Sequence, residues 1–433
     1  MSNSEIIGRA LSQFDGKNKV TLAKNIVNGQ NILTRSMVSA ANTIYILQYD
    51  YTLNDQTVVL GNGSSIIFYG GSVDYGTLDY SHGNIIPQST SFFGHHLSVL
   101  TDEPVNIAWY GAESGDTIDD IIELLQGHTI LIPVGNYVCT MWSYVLAPNT
   151  MFIGEKVLNN DQTCCISFTP ANYPTDHSVV NADNFIIGLN NNCGFKDITL
   201  WLTSTIFDGD LVRVDSAFWK DLSELQLQPL RATQYYIDNV YFYTSWLNGD
   251  EYLATAFHVI VRDKDDNNQM LESYQQFLSY RQHFKNVEIK YFSVGIRIEL
   301  KNYASHAQYQ GVWCNSLHFF DIDMWVRSNG FVLETTNLKT TALGRFLISG
   351  ILLQAIGSPD QGSHLPYAFY ADNGYDCMLD KINAWDGSKV AYVGSGSITL
   401  GQYMSDNQNP LDVGSTGVIK TPTWTIYSGN NNP

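Results

Sequence analysis

Phe284-Lys285-Asn286-Val287-Glu288-Ile289-Lys290 and Phe320-Asp321-Ile322-Asp323-Met324-Trp325 decide how the chain is read. In the first run Val287 and Ile289 alternate with Glu288 and Lys290, the period of two expected of a strand with one wet face. In the second, Phe320, Ile322 and Met324 share one face, while Asp321, Asp323 and Trp325 share the other. That outer face is open to a ligand.

The front of the first run recurs as an apolar residue, any residue, Asn or Asp, then a branched apolar residue. Phe195-Lys196-Asp197-Ile198, Ile237-Asp238-Asn239-Val240 and Phe284-Lys285-Asn286-Val287 place the polar member at 197, 239 and 286, 42 and then 47 residues apart. Looser echoes stand at Phe346-Leu347-Ile348-Ser349-Gly350-Ile351 and Met378-Leu379-Asp380-Lys381-Ile382. Such periods belong to stacked repeats, with loops inserted between the rungs. A stack of short parallel strands pairs its backbone groups from rung to rung and leaves its outer faces free. Asn190-Asn191-Asn192 and Asn267-Asn268 then read as corners or loop tips, because Asn tolerates left-handed backbone.

The 433 residues carry a net charge of -19, and only 15% are charged, against roughly 25% in an ordinary globular chain. Tyr (26) and Phe (20) are abundant, which suits a pleated surface. So acidic a chain is a poor partner for nucleic acid or an anionic membrane. The six cysteines form no CxxC pair, and the expectation is buried free thiols in a reducing compartment. The start lacks the basic and apolar regions of a signal peptide, and no apolar run reaches the ~20 residues that span a bilayer. No membrane insertion is expected, and synthesis is placed in a cytoplasm.

Four segments follow in order. Residues 1–41 form an N-terminal helix or anchor segment, in which 4–14 carry an apolar stripe that could dock on the chain itself, on symmetry mates or on a larger body. Residues 42–104 form a small β region with turns at Asn62-Gly63 and Gly70-Gly71, followed by a connector from 79. The pair His95-His96 is not read as a metal site, since adjacent side chains of an extended chain point opposite ways. Residues 105–400 open with a strand into a glycine turn at 105–112 and a helix over 116–125 with acidic residues in its first turn. Residues 401–433 are a β or irregular tail.

The run from Val105 to Glu155 resembles the opening of the pectate-lyase-like superfamily of right-handed parallel β-helices, found in polysaccharide-degrading enzymes and phage tailspikes. The shared features are Tyr110-Gly111-Ala112, the acidic stretch Asp116 to Asp120, Ile132-Pro133-Val134-Gly135-Asn136-Tyr137 and Ile153-Gly154-Glu155, in that order. The family's acidic motif is shortened here. The resemblance implies an all-β fold, a right-handed parallel β-helix over 105–400 with one capping helix. Residues 42–78 are similar to fibre and spike proteins of phages infecting gut Bacteroidetes, which implies a virion protein made in the host cytoplasm.

Asp321 and Asp323 are the candidate catalytic carboxylates, about 6.6 Å apart at Cα along an extended strand, near the lower end of the ~6.5 to 9.5 Å used by inverting glycosidases. Trp325 and Trp313 are candidates for stacking on a sugar, and Lys290 and Arg297 are the nearby cations a lyase would need. The loop 263–268 lacks the glycine and spaced glutamate of a calcium loop, and neither metal nor cofactor is expected. Three functions remain open: a virion fibre or tailspike recognising a host-surface glycan, a polysaccharide depolymerase on the same scaffold, or a virion assembly protein without ligand. The rung at 346–356 is apolar on both alternating faces, so a homotrimer burying these faces is expected, the alternative being a loop or the C-terminal segment folded over the rung, and the N-terminal segment is expected to dock on other virion proteins.

Overall fold

The molecule is described from a computed structural model that covers residues 17–88, 91–155, 163–171, 184–204, 207–215, 218, 235–245, 254–262, 277–278, 283–301, 313–315, 317–336, 342–344, 346–355, 366–422 and 425–427. It is an all-β protein. The chain divides into two compact units, Met1–Pro133 and Val134–Pro433. The helix expected at 4–14 and the loop at 263–268 lie outside the described residues, and so does Asn267-Asn268. Among the described residues no helix is long and apolar enough to cross a membrane.

In the first unit Asn18–Thr21, Thr43–Leu47, Ser65–Phe68 and Asn84–Ile86 pair in parallel, and Tyr51–Val59, Val73–Asp79 and Leu97–Leu100 form a second parallel set. The stretch read as a connector from 79 thus contains two strands, each too short to show a period of its own. Phe68, Phe92 and Phe93 are buried, with Phe68 and Phe92 stacked at 4.3 Å between centroids. Gly63 and Gly70 have φ of 69° and 86°, as their turns require.

Two expectations in this unit change. Only Val105–Asn106 is extended; Ile107–Tyr110 is a 3-10 helix, because the Asn106 side chain accepts from the Ala108 N–H and Gly111 closes the turn at φ 86°. The helix begins at Asp119 and runs to Leu124. Asp116 is used before it, accepting the Glu113 N–H at 2.8 Å and closing a turn.

The second unit is built from parallel ladders. Met151–Gly154, Cys193–Leu202, Tyr235–Thr244, His283–Lys301, His318–Thr336, Phe346–Ala355 and Tyr367–Trp385 pair successively in register. Residues 195–200 and 284–290 are therefore parallel to their neighbours. The longest strands contain two legs; the second legs of His283–Lys301 and His318–Thr336 pair with each other and extend a ladder through Asp210–Asp215 and Thr255–Arg262. Parallel pairing continues beyond residue 400 through Tyr403–Ser405 and Leu411–Lys420, where an antiparallel Thr425–Tyr427 ends it.

The recurring polar residue is a corner. Asp197, Asn239, Asn286, Asp321 and Lys381 have φ between 53° and 56°, and Gly350 sits in the same column at 76°. Register is kept on either side of it: Lys196 pairs with Asp238 and Ile198 with Val240, and Lys285 pairs with Phe320 and Val287 with Ile322. Asn and Asp tolerate this conformation better than other non-glycine residues, which is why the motif shows in the sequence. Asn149 and Asn192 form another such corner, with φ of 68° and 57° and a 2.9 Å side-chain bond between them.

The corner also overturns one reading. Phe320 does not share the face of Ile322 and Met324, because the left-handed residue between them reverses the alternation. Phe319 is the buried partner, pairing with buried Phe284, and Phe320 is half-buried on the outside. On the rung Phe346–Ala355 the same rule buries Ile348, Ile351 and Leu353 and leaves Leu347 and Leu352 half-buried.

Candidate functional site

Counting from each corner, the residue two positions on and the residue four positions on both point away from the core, since the intervening residues are buried. The fourth positions are Trp201, Tyr243, Lys290, Trp325, Gln354 and Trp385, and each pairs directly with the next across adjacent strands. The second positions are Thr199, Tyr241, Glu288, Asp323, Leu352 and Asn383, likewise in register. At about 4.8 Å per strand, this makes a column of flat rings beside a column of mixed polar groups. Strand pairing sets the spacing, so the rings are held without any contribution from a mobile loop.

Lys290 sits inside the aromatic column. Its ammonium lies 4.9 Å from the Trp325 ring centroid and pairs with the Glu288 carboxylate. Burial lowers its pKa, but Glu288 first and then Asp323 outweigh this, and the net direction is upward. The lysine is therefore a fixed cation lying over the ring.

Asp323 faces Glu288 in register on the neighbouring strand. Partial burial and then the Glu288 charge push its carboxyl above the ordinary value, with Lys290 opposing. Its Oδ1 and the Trp325 indole N–H are both buried, and although the two groups face each other, neither reaches hydrogen-bond geometry. The Trp201 indole N–H, in the same column, also has no hydrogen-bond partner among the described residues. A groove of about 350 Å³ runs along this face, lined by Tyr241, Glu288, Asp321, Asp323, Leu352 and the corner residues.

The structure brings Lys290, Asp323 and Trp325 together, keeps Asp321 among the residues lining the same groove, and separates Arg297 from them. Asp321 is the corner itself, exposed at φ 53°, with its carboxylate over Gly350 of the next rung. The carboxylate that neighbours Asp323 across the strands is Glu288, and the pairing of Asp321 with Asp323 on one face of a regular strand does not hold. Arg297 belongs to the other leg of its strand and is bound to Glu334 and Glu299. The backbone of Trp313 pairs with Phe277 and Ala342, while its side chain lies outside the described residues.

Trp201, Tyr243, Tyr241 and Trp385 belong to the face and were missed in the sequence. The signal that would have found them is the fixed offset of four, or two, from the recurring Asn/Asp position. Among the described residues no group of three His, Cys, Asp or Glu side chains could hold a metal ion. His96 stacks on Tyr75 at 4.5 Å between centroids. No protein-family model, curated protein or solved structure matches the chain.

Proposed function

We propose that this protein is a surface-recognition protein whose parallel ladders wind as a right-handed β-helix and whose aromatic column binds a glycan. The observation that carries the reading is the register of Trp201, Tyr243, Trp325 and Trp385 on one outward sheet face. Flat rings on a rigid surface offer apolar area to the faces of sugar rings, and the adjacent Glu288, Asp323 and Asn383 offer hydrogen-bonding groups to hydroxyls. Tyr243 and Trp325, like Trp325 and Trp385, stand two strands apart, about 9.5 Å, a length commensurate with a disaccharide. The acidic surroundings favour a neutral glycan over an anionic one.

The sequence resemblances support a virion fibre or tailspike, a homotrimer attached to other virion proteins and presenting this face to a host-surface polysaccharide. The test is binding of purified protein to immobilised capsular polysaccharides and to encapsulated cells, with Trp325→Ala and Trp385→Ala as variants. Binding lost in both variants with folding intact supports the reading; unchanged binding removes this face from consideration and leaves the assembly role.

One observation favours cleavage as the alternative. Asp323, its carboxyl shifted upward, stands in register with Glu288 on the neighbouring strand, so the face holds the pair of adjacent carboxyl groups that glycoside hydrolysis uses. In that reading Asp323 is the acid and Glu288 the nucleophile. Shortening of a bound polysaccharide, abolished in Asp323→Asn while binding survives, would establish it.

A further inference from the structure

His258 lies on the Thr255–Arg262 strand, between Phe257 and Val259, and is 2% exposed. Its Nδ1 is 2.8 Å from Asp210 Oδ2 on the preceding strand of the ladder, and its Nε2 is 3.3 Å from Glu299 Oε2 on the following one. The second contact is an ion pair without hydrogen-bond alignment. Each carboxylate is also held by an arginine: Arg213 Nε donates to Asp210 at 2.6 Å, and Arg297 Nη2 donates to Glu299 at 3.2 Å and to Glu334 at 2.5 Å. Asp215, also buried, stands in the column of Ile260 and Glu299.

A neutral imidazole carries one N–H and one lone pair, whereas the imidazolium carries two N–H groups. Only the second form presents an N–H to both of the buried carboxylates on opposite sides of the ring. A neutral ring would turn a lone pair toward one of them, a repulsion that water does not screen there even though each carboxylate also has an arginine partner.

We propose that His258 is a proton-dependent staple: as imidazolium it ties the Asp210 strand to the Glu299 strand, and loss of its proton as pH rises loosens the ladder there. The balance of forces agrees. Burial lowers the histidine pKa, but Asp210 and then Glu299 outweigh burial, so the folded value lies above the ordinary 6.5. A raised folded value means stability fully present below the unfolded pKa and lost as pH rises through the folded one.

The experiment follows the thermal midpoint of the full chain from about pH 5.5 to about pH 9, a span that brackets ordinary histidine titration. The wild type should lose several degrees toward the alkaline end. Glu299→Gln, whose amide can donate to a neutral ring, should flatten that loss, and His258→Gln should flatten it from a lower acid plateau. If His258→Gln fails to fold, Glu299→Gln decides together with hydrogen exchange in wild-type residues 255–262, expected to lose protection at alkaline pH beyond the intrinsic rate increase. A wild-type midpoint that does not fall, or a fall that persists undiminished in Glu299→Gln, overturns the staple.

Discussion

Asn239 donates from its side-chain amide to the Asp197 carboxylate at 2.8 Å, across 42 residues of sequence and one strand spacing, and both residues hold a left-handed backbone. The bond joins two corners of the stack, so the residue type serves the bend and the rung contact together. Asn239→Val should therefore lower stability by about 2 kcal/mol, from the left-handed penalty of a β-branched residue and the lost bond. Asn239→Gly, which keeps the bend, should cost less than about 1 kcal/mol. Denaturant unfolding of the two variants beside the wild type measures the difference, and equal losses would mean that the bend does not select the residue.

Gly350 extends the same column, and a Cβ there would lie 2.5 Å from Asp321 Oδ1 and 3.2 Å from its backbone N, at φ 76°. Gly350→Ala should be destabilising by about 1–2 kcal/mol, and Asp321→Gly in the same chain should recover part of that loss by removing the clashing carboxylate. A thermal midpoint unchanged by Gly350→Ala would contradict the close packing of these corners.

The recurrence of Asn or Asp at 197, 239 and 286 was legible as the front of a rung, but its bend was not, although these are types that left-handed backbone selects. Lys381, at φ 54°, is not such a type, and the run Met378 to Ile382 was legible only as a looser echo of the motif. Asp321 was misread because an Asp between Phe320 and Ile322 fits a wet strand face equally well, and counting by twos continued through a bend that the sequence does not announce. The buried cluster of Asp210, His258 and Glu299 was not visible, since 48 and then 41 residues separate its members and only the stacking of strands brings them together. Trp201, Tyr243 and Trp385 were overlooked for a different reason: each looks ordinary alone, and only its offset from a corner makes it part of a column.

Burial pushes the Cys165 and Cys193 thiols up to about 11, so the reactive thiolate is scarce at moderate pH. Iodoacetamide at pH ~8 should leave both unlabelled in the native protein and label both after denaturation, as read by peptide mass spectrometry. Rapid native labelling of either would show that its pocket opens.

The upward shift of Asp323 has a definite sign. An acid whose folded pKa is raised contributes nothing adverse below its unfolded value and destabilises as pH rises through the folded one, where burial and Glu288 oppose its charge. Asp323→Asn should thus raise the thermal midpoint slightly at neutral pH and have no such effect near pH 4. A midpoint lowered at neutral pH would instead show that Lys290 stabilises the carboxylate more than burial disfavours it.

Lys290 and Trp325 give the most direct test of the proposed glycan binding, because the lysine both covers the ring and interrupts the aromatic column. Trp325→Ala removes stacking area worth about 1–3 kcal/mol of binding, a loss of roughly 5- to 150-fold in affinity. The fold should survive, since Met324 and Val326 on either side carry the core packing. Lys290→Ala uncovers the ring and also frees Glu288 from its partner, so a neutral glycan should bind at least as tightly as to the wild type. An anionic glycan should bind more weakly. Calorimetric titration with one neutral and one uronic-acid oligosaccharide separates the two cases; if Lys290→Ala weakens the neutral ligand as much as Trp325→Ala does, the ammonium contacts the sugar directly and does not merely shield the ring.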